Sequence, residues 1–145
     1  MSNFRGMDGS ATVATNAVGE LKAWALNGVT IEVIEEEKLR DNADLAGRYF
    51  RTKLEELQQK YPVIGDVRGM GLMQALELVK DRQTKEPAPE ATVQLMERAR
   101  ENGLLIGKGG LYGNVIRLSP PLNISNADVD EAVRLLDKSL SEVLL

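Results

Sequence analysis

The spacing of apolar residues changes several times along this chain, and these changes constrain the fold more than any other feature. Apolar side chains recur at helical spacing from Thr30 to Tyr61. Two strand-like regions follow, with a second helix between them, and a third helix starts at a capping-box pattern, Ser125-x-x-Asp128. This order predicts an α+β fold, a small and mostly antiparallel sheet with helices packed on one face.

The first half of the chain predicts one helical region and one strand. The helical region is one long helix, or two in sequence with a break at Asp41-Asn42, and a proline ends it at residue 62. Residues 67–79 predict a single strand entered through Gly65-Asp66, because apolar side chains alternate along it. The small residues and glycines before Thr30 predict only a short helix at residues 21–26.

The second half predicts a helix and a hairpin before the last helix. Gly103 lies where a left-handed cap would end the helix of residues 90–102. Residues 104–106 and Val115–Leu118 are the predicted strands of the hairpin, and the glycine-rich residues 107–113 are its turn.

Charge and composition exclude several classes of function. The chain has 145 residues and a formal net charge of -4, which argues against nucleic acid or an anionic membrane as the main partner. It has no cysteine and no histidine, so thiol catalysis, Ser-His-Asp triads and zinc sites with these ligands are excluded, and no metal site is predicted. The sequence has neither a membrane-spanning run nor a secretory signal at residues 1–6, which predicts a cytoplasmic protein.

Arg117 is the most specific candidate for ligand binding. It stands in a strand that a double proline, Pro120-Pro121, ends, and a guanidinium fixed in this way matches the two oxygens of a carboxylate. Its neighbours Val115, Ile116 and Leu118 are predicted to be at least partly buried, so the charge needs a partner. That partner is either an acidic residue of the same domain or a carboxylate ligand.

A second candidate is the glycine-rich turn, whose Gly107, Lys108, Gly109 and Gly110 could bind an anion through backbone N–H groups and the lysine charge. The spacing matches neither a P-loop nor a dinucleotide-binding motif, so a plain hairpin turn is the alternative. Arg68, which precedes two closely spaced glycines, either starts a strand or contributes to a site. No pair of acidic residues stands out for acid–base catalysis.

Several segments together resemble the C-terminal small domain of class III pyridoxal-phosphate-dependent aminotransferases. The segments that carry the resemblance are residues 64–73, 77–81 and 103–124. The turn at residues 107–114 is most similar to the alanine–glyoxylate type-2 branch, and residues 33–39 are similar to the helix before the small domain. The resemblance covers residues 31–145 and predicts two parts, an unmatched segment 1–30 (linker, fusion or replacement) and an aminotransferase-like small domain.

The resemblance implies a role for Arg117, which matches the family arginine that binds the substrate carboxylate, whereas Arg68 shapes the domain without a catalytic step. In the family, the cofactor's lysine, its aspartate and its phosphate loop lie in a large domain. No lysine here stands in the motif of the cofactor lysine, since Lys108 matches the small-domain hairpin. The chain is therefore expected to hold no catalytic residue and no cofactor alone, while the complete enzyme binds pyridoxal phosphate.

The implied function is that of a detached, substrate-side domain, inactive alone, from an enzyme that transfers an amino group between an amino acid and an oxo acid. Two alternatives stay open. One is a stand-alone module that binds small anions or carboxylates through Arg117 and the turn. The other is a structural domain that self-associates without catalysis. An apolar face left exposed on such a domain predicts a homo-oligomer.

Overall fold

The computed structural model of the chain describes residues 4–5, 12–13 and 29–143. These residues belong to two compact units, Met1–Arg40 and Asp41–Leu145. The helix predicted at residues 21–26 lies outside the described residues.

The first unit contains a short hairpin and a helical segment. Strand β1 (Phe4–Arg5) pairs antiparallel with strand β2 (Thr12–Val13). Helix α1 is described over residues 29–36, and a turn at residues 37–38 follows it. Lys38 has a φ angle of 51°, and this left-handed residue ends the helix.

Helix α2 (Leu39–Lys60) follows that turn, so the helical region consists of two helices in sequence, one of the two predicted arrangements. The predicted position of the break, Asp41-Asn42, is wrong. Both residues lie inside α2, and the Asn42 side chain donates to the carbonyl oxygens of Leu122 and Ile124 at 2.7 and 3.1 Å. The amide that resembled a helix cap is therefore used in a long-range contact.

The second unit also contains a four-stranded antiparallel sheet and two further helices, α3 and α4. The strand order is β3-β4-β6-β5, with β5 at one edge. The bounds of these elements are β3 (Ile64–Met70), β4 (Met73–Leu78), α3 (Pro89–Glu101), β5 (Gly107–Gly109), β6 (Val115–Leu118) and α4 (Asn126–Val143).

The core lies between one face of this sheet and the three helices α2, α3 and α4, which confirms the predicted α+β arrangement. Alternate strand residues point into it, and each helix adds a stripe of apolar side chains. A fully buried leucine contributes about 1.5–3 kcal/mol by leaving water. The principal members are Phe50, Leu54, Val67, Leu76, Leu78, Leu95, Ile116, Leu118, Leu136 and Leu140. The opposite face of the sheet, here called the open face, carries the other strand residues.

The prediction of one strand over residues 67–79 is wrong, because the chain reverses within it and forms the β3–β4 hairpin. Gly69 and Gly71 adopt φ angles of 150° and 51°, which residues with side chains rarely adopt, and they allow the reversal. Met70 and Met73 close the hairpin as a cross-strand pair. The glycines were visible in the sequence, but nothing local distinguished a turn from an interrupted strand.

The predicted strand at residues 104–106 is also wrong, because the strand lies three residues later, at Gly107–Gly109. Leu104 instead forms part of the cap that follows α3, where its N–H donates to the carbonyl of Ala99 at 2.7 Å. Gly103, with a φ of 90°, caps α3 as predicted. The turn is correspondingly short, and the Gly113 N–H donates to the Gly110 carbonyl at 3.1 Å.

Candidate functional site

Arg117 lies on the open face of the sheet, exposed to solvent in the second half of β6. Its neighbours Ile116 and Leu118 point into the core, which forces the intervening side chain to the other face. Across the sheet Arg117 pairs with Ala75 of β4 on one side and with Gly107 of β5 on the other. Small residues therefore flank the guanidinium on both sides.

The side chain of Arg117 makes no hydrogen bond or ion pair with any residue that the structure describes. The nearby carboxylate of Glu77, one cross-strand row away, is already engaged by Arg68 and by Asn114. The alternative of a structural ion pair for Arg117 thus has no partner among the described residues. A guanidinium that is fixed on a strand and has no partner can bind the carboxylate of a ligand.

Arg68 shares the open face with Arg117 but is occupied. Its guanidinium bonds to Asp66 at 2.7 Å and to Glu77 across the hairpin at 2.5 Å. These hydrogen bonds, first that of Asp66 and then that of Glu77, raise the pKa of the Arg68 guanidinium. Ala75 stands between the two arginines, whose Cα atoms are two strand spacings, about 10 Å, apart. Of the two roles predicted for Arg68, part of the strand structure or part of a site, this geometry supports the structural one.

The glycine-rich segment is divided between the two faces of the sheet. Gly107 and Gly109 lie on the same side as Arg117, since residues at alternate positions share a face. Lys108 pairs with Ile116 and extends from the opposite side, and Gly110 lies in the turn. The structure therefore brings two of the four predicted anion-binding residues to Arg117 and separates the lysine from it.

A polar cluster at the β3–β4 turn was missed from the sequence. The Arg51 guanidinium of α2 donates to Gln74 Oε1 at 2.7 Å and to the carbonyl of Gly69 at 2.8 Å. The buried Gln74 side chain donates in turn to the carbonyl of Gly71. The one signal in the sequence was a glutamine among the inward-facing residues of the strand, which requires a buried hydrogen-bond partner.

The described lysines do not fit the requirements of pyridoxal phosphate. A lysine that forms a Schiff base needs desolvation, which lowers its pKa. Lys53 is half-buried, and the other lysines that the structure describes are exposed. Hydrogen bonds to Asp137 and Glu86 raise the pKa values of Lys60 and Lys80, in the opposite direction. These residues therefore support no step through the cofactor.

The described part of the chain offers neither a membrane-spanning helix nor a metal site. No helix there is long and apolar enough to cross a bilayer. No group of three or more acidic side chains in residues 29–143 is arranged to hold a metal ion.

Comparison with known proteins places this geometry in a family. The family model "Aminotransferase class-III" matches residues 7–140. The alanine–glyoxylate aminotransferase 2 homolog 2 of Arabidopsis thaliana, named as mitochondrial, is 48% identical over 113 residues. The alanine/serine racemase of Pyrococcus horikoshii is 38% identical over 133 residues, and the 5-aminovalerate aminotransferase DavT of Pseudomonas putida is 42% identical over 113 residues.

The matches cover most of this chain but a small part of each relative. The three alignments cover 78%, 92% and 78% of the chain, and 24%, 27% and 26% of the relatives. The chain thus spans about a quarter of their length. The match over residues 7–140 begins before residue 31, and the division predicted there stays a prediction.

Solved structures share the fold. A Bacillus anthracis aminotransferase superposes with a TM-score of 0.76 at 32% identity, over 84% of this chain and 28% of that one. An Arthrobacter phospholyase, solved in complex with phosphoethanolamine, has a TM-score of 0.76 at 32% identity, over 83% of this chain and 28% of the phospholyase. From its sequence and its fold, the chain belongs to the class-III aminotransferase family.

Proposed function

We propose that this chain is the substrate-side small domain of a class-III aminotransferase and that Arg117 binds the carboxylate of the substrate. The observation that carries the proposal is an exposed guanidinium, fixed on a strand, without a partner among the described residues. The other arginine of the open face, Arg68, is already paired with two carboxylates. Among the residues that the structure describes, the open face therefore offers one unpaired arginine for a ligand.

The carboxylate is the group that amino acids and oxo acids have in common. Binding through it lets Arg117 orient an amino donor and an oxo acceptor in the same way. The two parallel N–H groups of a guanidinium fix the plane of the carboxylate as well as its position. This role also fits relatives named as racemases, because their substrates carry the same group.

Binding by this chain alone should be weak. An ion pair open to water contributes about 0–1 kcal/mol, because solvent screens the two charges. Such an energy corresponds to a dissociation constant of about 0.2 M or weaker, since a millimolar constant already requires about 4 kcal/mol. Strong binding requires a covering surface that excludes water. The remaining three quarters of a full-length relative could supply that surface.

Two arginine variants test the carboxylate site. Titration of the isotopically labelled chain with acetate and alanine should shift the amide resonances of β5 and β6. Arg117→Gln should abolish these shifts, while Arg68→Gln combined with Glu77→Gln, which removes the neighbouring ion pair without freeing a carboxylate beside Arg117, should retain them. Unchanged shifts in Arg117→Gln would remove the proposed role. If inorganic phosphate shifts the turn residues in both variants, the glycine-rich turn binds anions independently of Arg117.

We expect no transamination by the chain alone, because no described lysine fits the cofactor. Pyridoxal phosphate and borohydride should then label the exposed lysines at random, and alanine with glyoxylate should give no pyruvate. Labelling of one lysine at stoichiometric cofactor, together with turnover, would contradict the expectation. Mass spectrometry of the digested chain distinguishes the two results.

A further inference from the structure

We propose that Gly109 is a positioning residue for Arg117. On the edge strand β5, its missing side chain leaves the space across which the aliphatic part of the Arg117 side chain lies. The proposal rests on the proposed carboxylate-binding function, and it adds a residue that does not itself touch the ligand.

The distances from the two glycines of β5 to the Arg117 side chain support this role and show that Gly109 is closer to it than Gly107. A Cβ atom added at Gly109 would lie 3.0 Å from Cδ and 3.2 Å from Nε of Arg117. A Cβ atom added at Gly107 would lie 3.8 Å from the same Nε, an ordinary contact. Because carbon atoms pack at about 3.5–4.0 Å, a methyl group fits at Gly107 but displaces the arginine at Gly109.

The backbone does not explain why glycine stands at these positions. Gly110 and Gly113, in the adjoining turn, have φ angles of 82° and 65° and need glycine for that reason. Gly107 and Gly109 are not among the residues with positive φ. Glycine inside a strand is unfavourable, since it loses more conformational freedom than other residues. The space over β5 is therefore the physical reason that the structure offers for Gly109.

The consequence is a guanidinium with restricted freedom. The side chain of Arg117 lies against the β5 backbone, so fewer rotamers must be lost when a ligand binds. A methyl group at Gly109 would push Cδ and Nε of Arg117 outward by a few tenths of an ångström and move the guanidinium with them, off its favoured side-chain geometry. We expect the dissociation constant for a carboxylate to rise about threefold to tenfold.

The experiment compares Gly109→Ala with the matched control Gly107→Ala. In the ligand-free chain, the Nε–H resonance of Arg117 should move in Gly109→Ala and stay near its original position in Gly107→Ala. Acetate titration should show weaker binding in Gly109→Ala alone. Equal displacement of the resonance in both variants, or in neither, would overturn the proposal.

A second measurement covers the case in which Gly109→Ala is poorly folded. Unfolding by urea should show a smaller destabilisation by Gly109→Ala in an Arg117→Ala background, because the clash has been removed. An equal cost in both backgrounds would overturn the proposal. If acetate shifts no resonance of the unaltered chain, the carboxylate site is contradicted. The Arg117 Nε–H resonance and the unfolding comparison need no ligand, so they still test the role of Gly109 in that case.

Discussion

At the scale of single residues, Gly47 and Gly71 allow helix α2 to approach the β3–β4 turn more closely than side chains would permit. A Cβ atom added at Gly47 would lie 2.3 Å from the carbonyl carbon and oxygen of Gly71. These are backbone atoms, which cannot rotate away as a side chain can. The close approach also brings the turn within reach of Arg51, which bonds the carbonyl of Gly69.

Gly47→Ala should therefore destabilise the chain by about 1–3 kcal/mol, the usual cost of overpacking a filled site. Gly103→Ala is the control, because a Cβ atom there meets no atom within 4 Å and only the φ of 90° is strained. Its cost should be about 1 kcal/mol. Urea unfolding followed by circular dichroism measures both, and a Gly47→Ala variant as stable as the parent would contradict the close packing.

The sequence favoured Arg117 over Arg68 as the ligand-binding arginine but could not show which of the two is paired within the domain. Glu77, which pairs with Arg68, is nine residues away in the chain and comes close only because β3 and β4 form a hairpin. Arg117 has no such neighbour free to bond it among the described residues. Which arginine is free is a property of strand register, and register depends on tertiary pairing.

At the scale of elements, a bridge of three side chains joins α2 to α4. Lys60 and the Tyr61 hydroxyl each lie 2.7 Å from Asp137 Oδ1. Burial raises the pKa of Asp137, but the hydrogen bonds from Lys60 and Tyr61 outweigh it, so the pKa lies below the usual 3.8. The bridge is accordingly strongest with Asp137 ionised.

The lowered pKa predicts the acid dependence of stability. A carboxylate with a lower pKa in the folded state stabilises fully above its unfolded pKa, and this contribution is lost as the pH falls through the folded value. Asp137→Asn should therefore reduce stability at pH 7 and flatten its decline below about pH 4. Urea midpoints at pH 7 and pH 3 measure the effect. A decline as steep in the variant as in the parent would show that other carboxyls, such as Asp128, dominate.

A second long-range contact lies at the end of α2, where the Arg82 side chain donates hydrogen bonds to three backbone carbonyls. Its Nε donates to Ile64 and its terminal nitrogen to Tyr61, both at 3.1 Å, and the carbonyl of Gln58 is a further acceptor. A helix end leaves carbonyls such as that of Gln58 without a partner in the helix, and the negative end of the helix dipole attracts a cation there. Nothing in the polar loop sequence around Arg82 predicted this long-range cap.

Arg82→Ala should cost about 1–2 kcal/mol of stability, since hydrogen bonds from a charged donor are lost. Arg98→Ala is the matched control, because within the described part of the chain the Arg98 side chain forms only an exposed pair with Glu101, three residues away on α3. Its effect should stay within about 0.5 kcal/mol. Equal destabilisation by the two variants in thermal unfolding would argue against the cap.

The local signals at element ends differed in how well they predicted structure. The capping box was correct: the Asp128 N–H donates to Ser125 Oγ and the Ser125 N–H to Asp128 Oδ2, both at 3.2 Å. It involves neighbours in sequence only. The first and last residues of β3, β4 and β5 were predicted incorrectly, because a strand forms only where a partner strand pairs with it through hydrogen bonds.

At the scale of the whole molecule, self-association stays a prediction, and we propose that it uses exposed apolar side chains. Met70 and Met73 at the end of the β3–β4 hairpin are 81% and 68% exposed. Leu111 in the β5–β6 turn is 92% exposed. Sedimentation velocity should show a dimer or larger species at high concentration, reduced by Met70→Lys with Met73→Lys. A monomer at every concentration would contradict the prediction.

The sequence by itself determined the family, the α+β class and the identity of the carboxylate-binding candidate. Periodicity and short motifs carry that information, since both depend on residues close together in the chain. Only the tertiary structure decided that Arg117 is unpaired among the described residues, that Lys108 lies on the opposite face, and that Gly109 leaves room for the arginine. Each of these depends on which strands pair and in which register, and register is set by burial of one whole face.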